Sequence, residues 1–194
     1  VLDEPWLVEL MDPAFPIPPD QAIDHMSTAM AVLPPSVVAG VHCCGPCDVA
    51  TLLASGPSVV SVPVSDALLD VGTGRGVVLW PLLERFPDLR VHAVDRLERR
   101  IARIGAVARG GFPRLTAAVG VVTALDVPDR AFTVVTALEV LEHVPDVQRA
   151  VADVVRVASR WVLISVPAHA DQNPEHLHLL TRPRLTELVR AAGA

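Results

Sequence analysis

From Ala67 onward this chain predicts an α/β fold built on a parallel sheet, and two observations carry that expectation. Short, continuous apolar runs (ALLDV, VHAVD, LTAAVG, FTVVTAL and RWVLISVP) alternate with amphipathic segments long enough to be helices. Strands apolar on both faces belong to a sheet covered on both sides. The first run also passes straight into GTGRG, a glycine-rich strand-to-helix turn of the kind at which such sheets bind ligands. Composition agrees: of 194 residues, 51% are hydrophobic and 20% charged, which suffices to bury a core and argues against disorder.

At the front, residues 1–2 read as a strand end, followed by Asp3, Glu4 and Pro5. A proline-rich loop (DPAFPIPPD) then leads into a helix over about residues 21–31. AGVHCC reads as a second strand, CDVATLLAS as a short helix and VVSVPV, rich in β-branched residues, as a third strand. Residues 1–65 are thus a partial βαβαβ segment, with a boundary near Ser65 and Asp66. Beyond it the elements alternate tightly. ALLDV is a strand and GVVLWPLLERF a helix; VHAVD is a strand, and RLERRIARIGAVAR a helix stopped by Gly110 and Gly111. LTAAVG and FTVVTAL are strands, PDVQRAVADVVRVAS is a helix opened by Pro145, RWVLISVP a fifth strand and RPRLTELVRAAGA a closing helix.

Several classes of function are disfavoured. The formal net charge of -6 offers no basic field to gather phosphates, which argues against general nucleic-acid binding. The longest apolar runs, such as VVLWPLL, are too short to span a bilayer. The three cysteines, Cys43, Cys44 and Cys47, sit together, which suits a reducing compartment better than a disulfide framework. No secretory signal opens the chain, so the expected location is the cytoplasm. The chain starts on Val1, directly in VLDEP, and reads as cut at its front.

Glycines at 72, 74 and 76 let the backbone turn sharply and approach a ligand without Cβ interference. Asp95 ends the next strand, 19 residues beyond Gly76, where a carboxylate can accept from both hydroxyls of an adenosine ribose. A dinucleotide fingerprint would carry a further glycine where Val77 stands; the pattern here is D-x-G-x-G-x-G, led by Asp70. With Asp95, that pattern resembles the class I S-adenosylmethionine-dependent methyltransferases. AFTVVTALEVLEHVPD resembles the family's fourth strand and following loop. RWVLISVP and NPEHLHLLTRPRLTELVRAAG resemble its fifth strand and the segment after it. The resemblance covers residues 67–194.

The resemblance implies a five-strand order of 3-2-1-4-5 and S-adenosylmethionine as cofactor. By position, Asp70 would hold the methionine amino group through water. Gly72, Thr73, Gly74 and Gly76 would bring backbone against the methionine and ribose. Asp95 would bind the ribose diol, Val121 and Val122 would flank the adenine, and Ala137, Leu138 and Glu139 would line the sulfonium side. The family often has an acidic residue at the place of Val121 and commonly Asp at the place of Thr133. Its sheet has seven strands in the order 3-2-1-4-5-7-6, whereas this chain stops after the helix following the fifth. The fifth strand would then be an apolar edge, and such edges are normally covered. The cover would be the front segment, a second copy in a homo-oligomer, or further chain.

Methyl transfer from a sulfonium is an in-line displacement, in which the protein aligns the reactants and excludes water. A base helps only where the acceptor loses a proton. The candidates are His143, which otherwise is a structural or rim residue, and His176 and His178, which otherwise are solvated. The spacing of His176 and His178 would let both face one surface. Glu139 and Glu142 either balance the sulfonium or cap the next helix.

The front segment resembles part of the C-terminal barrel of cobalamin-independent methionine synthase, through Asp3-Glu4-Pro5 and the pair His42/Cys44. That resemblance implies a zinc site, for which His42, Cys44 and Cys47 are the candidate ligands. The glutamate and the distant cysteine that the family also needs have no counterparts, Pro63 standing at the glutamate's place, so buried cysteines in a relic strand are the expected state. The reading for the whole is a methyltransferase acting on a small molecule, without nucleic acid or membrane partners. The alternatives are a non-catalytic product that retains nucleoside binding, and a zinc-dependent methyl transferase of methionine-synthase type.

Overall fold

The computed structural model describes residues 29–33, 37–41, 67–167 and 173–193. Its strands are β1 (Ala29–Leu33), β2 (Val37–Val41), β3 (Ala67–Val71), β4 (Arg90–Asp95), β5 (Leu115–Val119), β6 (Phe132–Leu138) and β7 (Ala158–Ser165). The helices are α1 (Leu79–Arg85), α2 (Glu98–Arg109), α3 (Val147–Val157) and α4 (Arg182–Ala191), and a 3-10 turn spans Leu141–His143.

The strands form one sheet in the order β1-β2-β7-β6-β3-β4-β5. Counted from β3, its five parallel strands have the order 3-2-1-4-5, as the alternating pattern and the resemblance predict. The side chains divide with the period of two that a strand imposes. On one face Leu69, Val135, Val162 and Ile164 pack with Val151 and Val154 of α3 and Leu185, Leu188 and Val189 of α4. On the other, Leu68, Val91, Val134 and Leu163 pack with Leu79, Leu82 and Leu83 of α1 and Ile104 of α2. Most of these side chains are fully buried, each stabilising the fold by about 1.5–3 kcal/mol relative to exposure. Sheet and helices thereby fix the strand ends on which the site is built.

Three expectations are corrected and one open alternative is decided. Residues 29–31, read as the end of a helix, belong to β1, which pairs antiparallel with β2. Pro34 and Pro35 follow directly, and proline both breaks a helix and drives the preceding residue to an extended conformation. The strand read at AGVHCC begins earlier, at Val37, and is described to Val41, residues 42–44 lying outside the described residues. Of the three covers expected for the fifth strand, the structure shows the front segment: β2 pairs with β7 in parallel, Val37 to Val162, Val38 to Leu163 and Ala39 to Ile164. That pairing takes the backbone edge through which a homo-oligomer was expected, and α4 lies against β1 and β2. Helix α3 is capped by Asp146, whose Oδ1 accepts from Arg149 N at 3.0 Å, so Pro145 stands one residue before the cap. The other front expectations (the strand end at 1–2, the helix over 21–28, the CDVATLLAS helix and the strand VVSVPV) lie outside the described residues.

Candidate functional site

A cleft of about 850 Å³ opens above the carboxyl ends of β3, β4, β5 and β6. Each strand delivers one part of it. After β3, the chain turns through Gly72 and Gly74, with φ of 72° and 60°. Gly72 N and Thr73 N both donate to Val94 O, at 2.7 and 3.1 Å, which ties the turn to β4. A Cβ on Gly72 would collide with the Val140 side chain. Gly76 also has a positive φ, of 83°, but does not line the cleft. The space where its Cβ would stand is filled by the Trp80 indole, whose Nε1 donates to Arg75 O at 3.0 Å. Gly76 therefore makes room for the Trp80 ring.

Asp95 ends β4 as predicted and is 2% exposed at the cleft wall. Its carboxylate already accepts three hydrogen bonds. Gly74 N donates to Oδ2 at 2.9 Å, Leu97 N to Oδ1 at 2.8 Å, and Arg100 to Oδ2 at 3.0 Å. Four lone-pair positions are available on a carboxylate, so one more hydroxyl fits directly. A second hydroxyl requires Arg100, whose side chain is 38% exposed, to swing away.

Asp70 is the penultimate residue of β3. It lies buried beneath the turn and is not among the cleft-lining residues. Thr136 Oγ1 donates to its Oδ1 at 2.7 Å. Burial raises its pKa above the usual carboxylate value, an effect that the Thr73 and Thr136 hydroxyls partly offset and the Asp95 charge reinforces. Thr73 is likewise buried away from the cleft.

After β5, Gly120, Val121, Val122 and Thr123 form one wall. Ala124 N donates to Val121 O at 3.0 Å, closing a tight turn that leaves Val121 half exposed and Val122 buried. The loop behind this turn is held by Arg156 of α3, which donates to Leu125 O, Val127 O, Asp153 and Asp129 at 2.7–2.9 Å. Val121 and Val122 both line the cleft.

After β6, Glu139 lines the cleft in a left-handed conformation, φ 55°, an uncommon state for a residue with a Cβ and one that concentrates at functional sites. It is fixed from β7: Glu139 N donates to Ser165 O at 2.9 Å, and Ser165 Oγ to Glu139 Oε1 at 2.8 Å. Ala137 is fully buried and, like Leu138, stands behind the wall. Of the three residues expected at the sulfonium side, Glu139 is the one that lines the cleft.

His143 lines the cleft, and its Nδ1 lies 3.0 Å from Glu175 O. His176 and His178 do not share a surface. The His176 ring meets the His143 ring edge-on, with centroids 4.8 Å apart, whereas His178 Nε2 lies 2.9 Å from Val144 O and pins the loop. Glu142 is 1% exposed, and its carbonyl accepts from Leu177 N at 2.7 Å. The candidate zinc ligands His42, Cys44 and Cys47 lie outside the described residues.

Sequence reading missed Arg75, Arg96 and Arg100, which join the cleft with Asp95, Glu139, Asp146 and Glu175. Four carboxylates against three guanidiniums suit a ligand that carries both signs of charge. Arg100 was legible in principle, five residues after Asp95 and in the first turns of a helix that begins beside it. Among the described residues, no helix is long and apolar enough to cross a membrane.

Residues 68–160 match the family model described as a methyltransferase domain. A ubiquinone biosynthesis O-methyltransferase from Rickettsia conorii is 33% identical over 89 residues, 46% of this chain and 30% of that protein. Ajmaline N-methyltransferase from Rauvolfia serpentina is 24% identical over 129 residues, 66% of this chain and 44% of that protein. The chain therefore spans less than half the length of these curated relatives. Among solved structures, the YcgJ protein from Bacillus subtilis superposes with a TM-score of 0.61 at 18% identity, over 74% of this chain and 66% of that one. Phosphoethanolamine N-methyltransferase 2 from Haemonchus contortus, solved with S-adenosyl-L-methionine, also gives 0.61, at 20% identity, over 74% of this chain and 35% of that one. At these identities the two structures attest the fold.

Proposed function

We propose that residues 67–193 form an S-adenosylmethionine-dependent methyltransferase domain that methylates a small molecule by in-line displacement. The observation that carries this reading is the joining of the 72–74 turn to the buried Asp95 carboxylate through the Gly74 N–H, at the wall of a cleft of cofactor size. The methyltransferase match over 68–160 and the fold shared with a protein solved with S-adenosyl-L-methionine support it.

The bound cofactor supplies an activated methyl group on sulfur. Around it, Asp95 accepts one ribose hydroxyl directly and the second as Arg100 turns outward. Val121 and Val122 flank the adenine. Gly72 and Gly74 let backbone approach the ribose and methionine, and Asp70 acts from beneath by holding the turn and, through water, the methionine amino group. Glu139 faces the sulfonium, where its charge stabilises the bound cation. The acceptor is a small molecule, as the names of the O- and N-methyltransferase relatives suggest. A cytoplasmic location fits such a reaction. The resemblance of residues 1–65 to a methionine-synthase barrel adds no step here, because β1 and β2 extend the methyltransferase sheet.

The test is incubation of the full chain with methyl-labelled S-adenosylmethionine and a panel of small hydroxyl, amine and thiol acceptors. Label appearing in an acceptor, and lost on Asp95→Ala, supports the reading. Binding of S-adenosylhomocysteine without transfer to any acceptor would favour the non-catalytic alternative, and absence of binding would end both.

A further inference from the structure

We propose that Glu142, His143 and His176 form a divalent metal site at the rim of the cleft, of the kind that takes zinc or another first-row transition ion. One ligand atom from each of the three lies within 4.8 Å of the others, and all three residues are buried or half-buried. The set is one carboxylate and two imidazoles, the donors that borderline ions such as zinc, cobalt and manganese accept, and three protein ligands leave a coordination position open.

The surroundings are those of a built site. Glu142 is 1% exposed, which keeps its carboxylate away from competing bulk water. His143 Nε2 stands 3.8 Å from Glu142 Oε1, beyond hydrogen-bond length but suited to an ion between them. The other nitrogen of that ring, Nδ1, lies 3.0 Å from Glu175 O. A metal-ligating histidine characteristically donates its second N–H to such a carbonyl, which fixes the tautomer and leaves the first nitrogen to bind. His176 is delivered by a loop strapped to the same place: Leu177 N donates to Glu142 O at 2.7 Å, and His176 N to Asn173 O at 3.1 Å. Around a tetrahedral ion, ligand atoms stand about 3.4 Å apart, so binding draws the His176 side chain inward.

His143, Glu175 and Leu177 line the cleft, so the open position faces the space left for the methyl acceptor. Resting on the methyltransferase reading above, this assigns the acceptor as a hydroxyl compound. Coordination of its oxygen lowers the hydroxyl pKa, and the proton leaves to solvent. The oxygen lone pair then forms the C–O bond as the C–S bond breaks and its electrons return to sulfur, giving a neutral thioether.

Cobalt(II) is the probe, titrated into chelator-treated full-length protein and followed by its visible ligand-field absorption. A cobalt complex of one ion per chain is expected, displaced by zinc and weakened about a hundredfold or more in His176→Asn and in Glu142→Gln. His178→Gln, which removes a neighbouring imidazole, keeps it. Calorimetry with S-adenosylhomocysteine on the metal-free protein reads the cofactor separately. Nucleoside binding without cobalt absorption overturns the metal site alone, and so does cobalt binding that survives both ligand substitutions. Cobalt binding lost in both variants upholds the site even where the nucleoside fails to bind, and that failure strikes the methyltransferase reading instead.

Discussion

Gly72 and Asp70 show how single residues trade stability for a site. Gly72 needs its positive φ and its missing Cβ at once. An alanine there would cost about 1–2 kcal/mol for the left-handed backbone alone and would strike Val140. We expect Gly72→Ala to lower the urea midpoint and abolish nucleoside binding, with Val140→Ala added to it recovering part of the stability, because the second change opens the space that the new Cβ needs. Equal midpoints for Gly72→Ala and wild type would show that the turn is not constrained as described. Asp70 is the complementary case. Its folded pKa is raised, chiefly by burial. The folded state therefore binds the proton more tightly than the unfolded state, and stability falls as pH rises from about 3.8 through the folded value. Asp70→Asn keeps the shape and removes that charge. It should match wild type below about pH 3.8 and be the more stable of the two at pH 7, while binding the cofactor less well. Thermal melts across that range check it, and a wild type more stable than the variant at pH 7 would contradict it.

At the scale of elements, the parallel strands were legible because each is a short apolar run between helix-forming segments, and the cleft was legible where glycine and aspartate end strands in a recurring pattern. Other features were not, for physical reasons. AMAVL has no strong strand signature; it becomes β1 because the prolines after it end any helix and β2 offers a partner. Gly76 looks like Gly72 in sequence, yet it makes room for Trp80, a contact set by the fold of the turn. His176 reaches His143 only because Leu177 bonds to Glu142, a long-range hydrogen bond that no local pattern announces. The loop behind Val121 and Val122 is similarly held from afar, by Arg156 of α3. Its guanidinium pKa is raised, first by the Asp153 hydrogen bond and then by that of Asp129, so it stays charged throughout. Removing it as Arg156→Ala should cost about 1–3 kcal/mol and speed amide exchange over residues 124–129 before that of β6. Unchanged exchange there would mean that the loop holds itself.

For the whole molecule, the seven-strand sheet is the organising fact. In the family that the sequence resembles, two outer strands lie beyond the fifth; here β2 and β1 occupy that side, contributed from the front. Apolar Val162 and Ile164 lie on the strand so covered, and an uncovered apolar edge invites pairing between molecules. Protein reduced to residues 66–194 should therefore self-associate in light scattering where the full chain does not; a monomeric, cooperatively folding fragment would show that the front strands are dispensable. That sheet supports one cleft with Asp95 at its wall, and the central claim is that the cleft holds S-adenosylmethionine. Titration calorimetry of S-adenosylhomocysteine into the full chain and into Asp95→Ala tests this most directly. Loss of a charge-assisted hydrogen-bond pair is worth about 1.5–3 kcal/mol. The prediction is one nucleoside bound per chain, with affinity about tenfold to a hundredfold lower in the variant. No heat of binding to the wild type, or equal affinities for the two proteins, would contradict it.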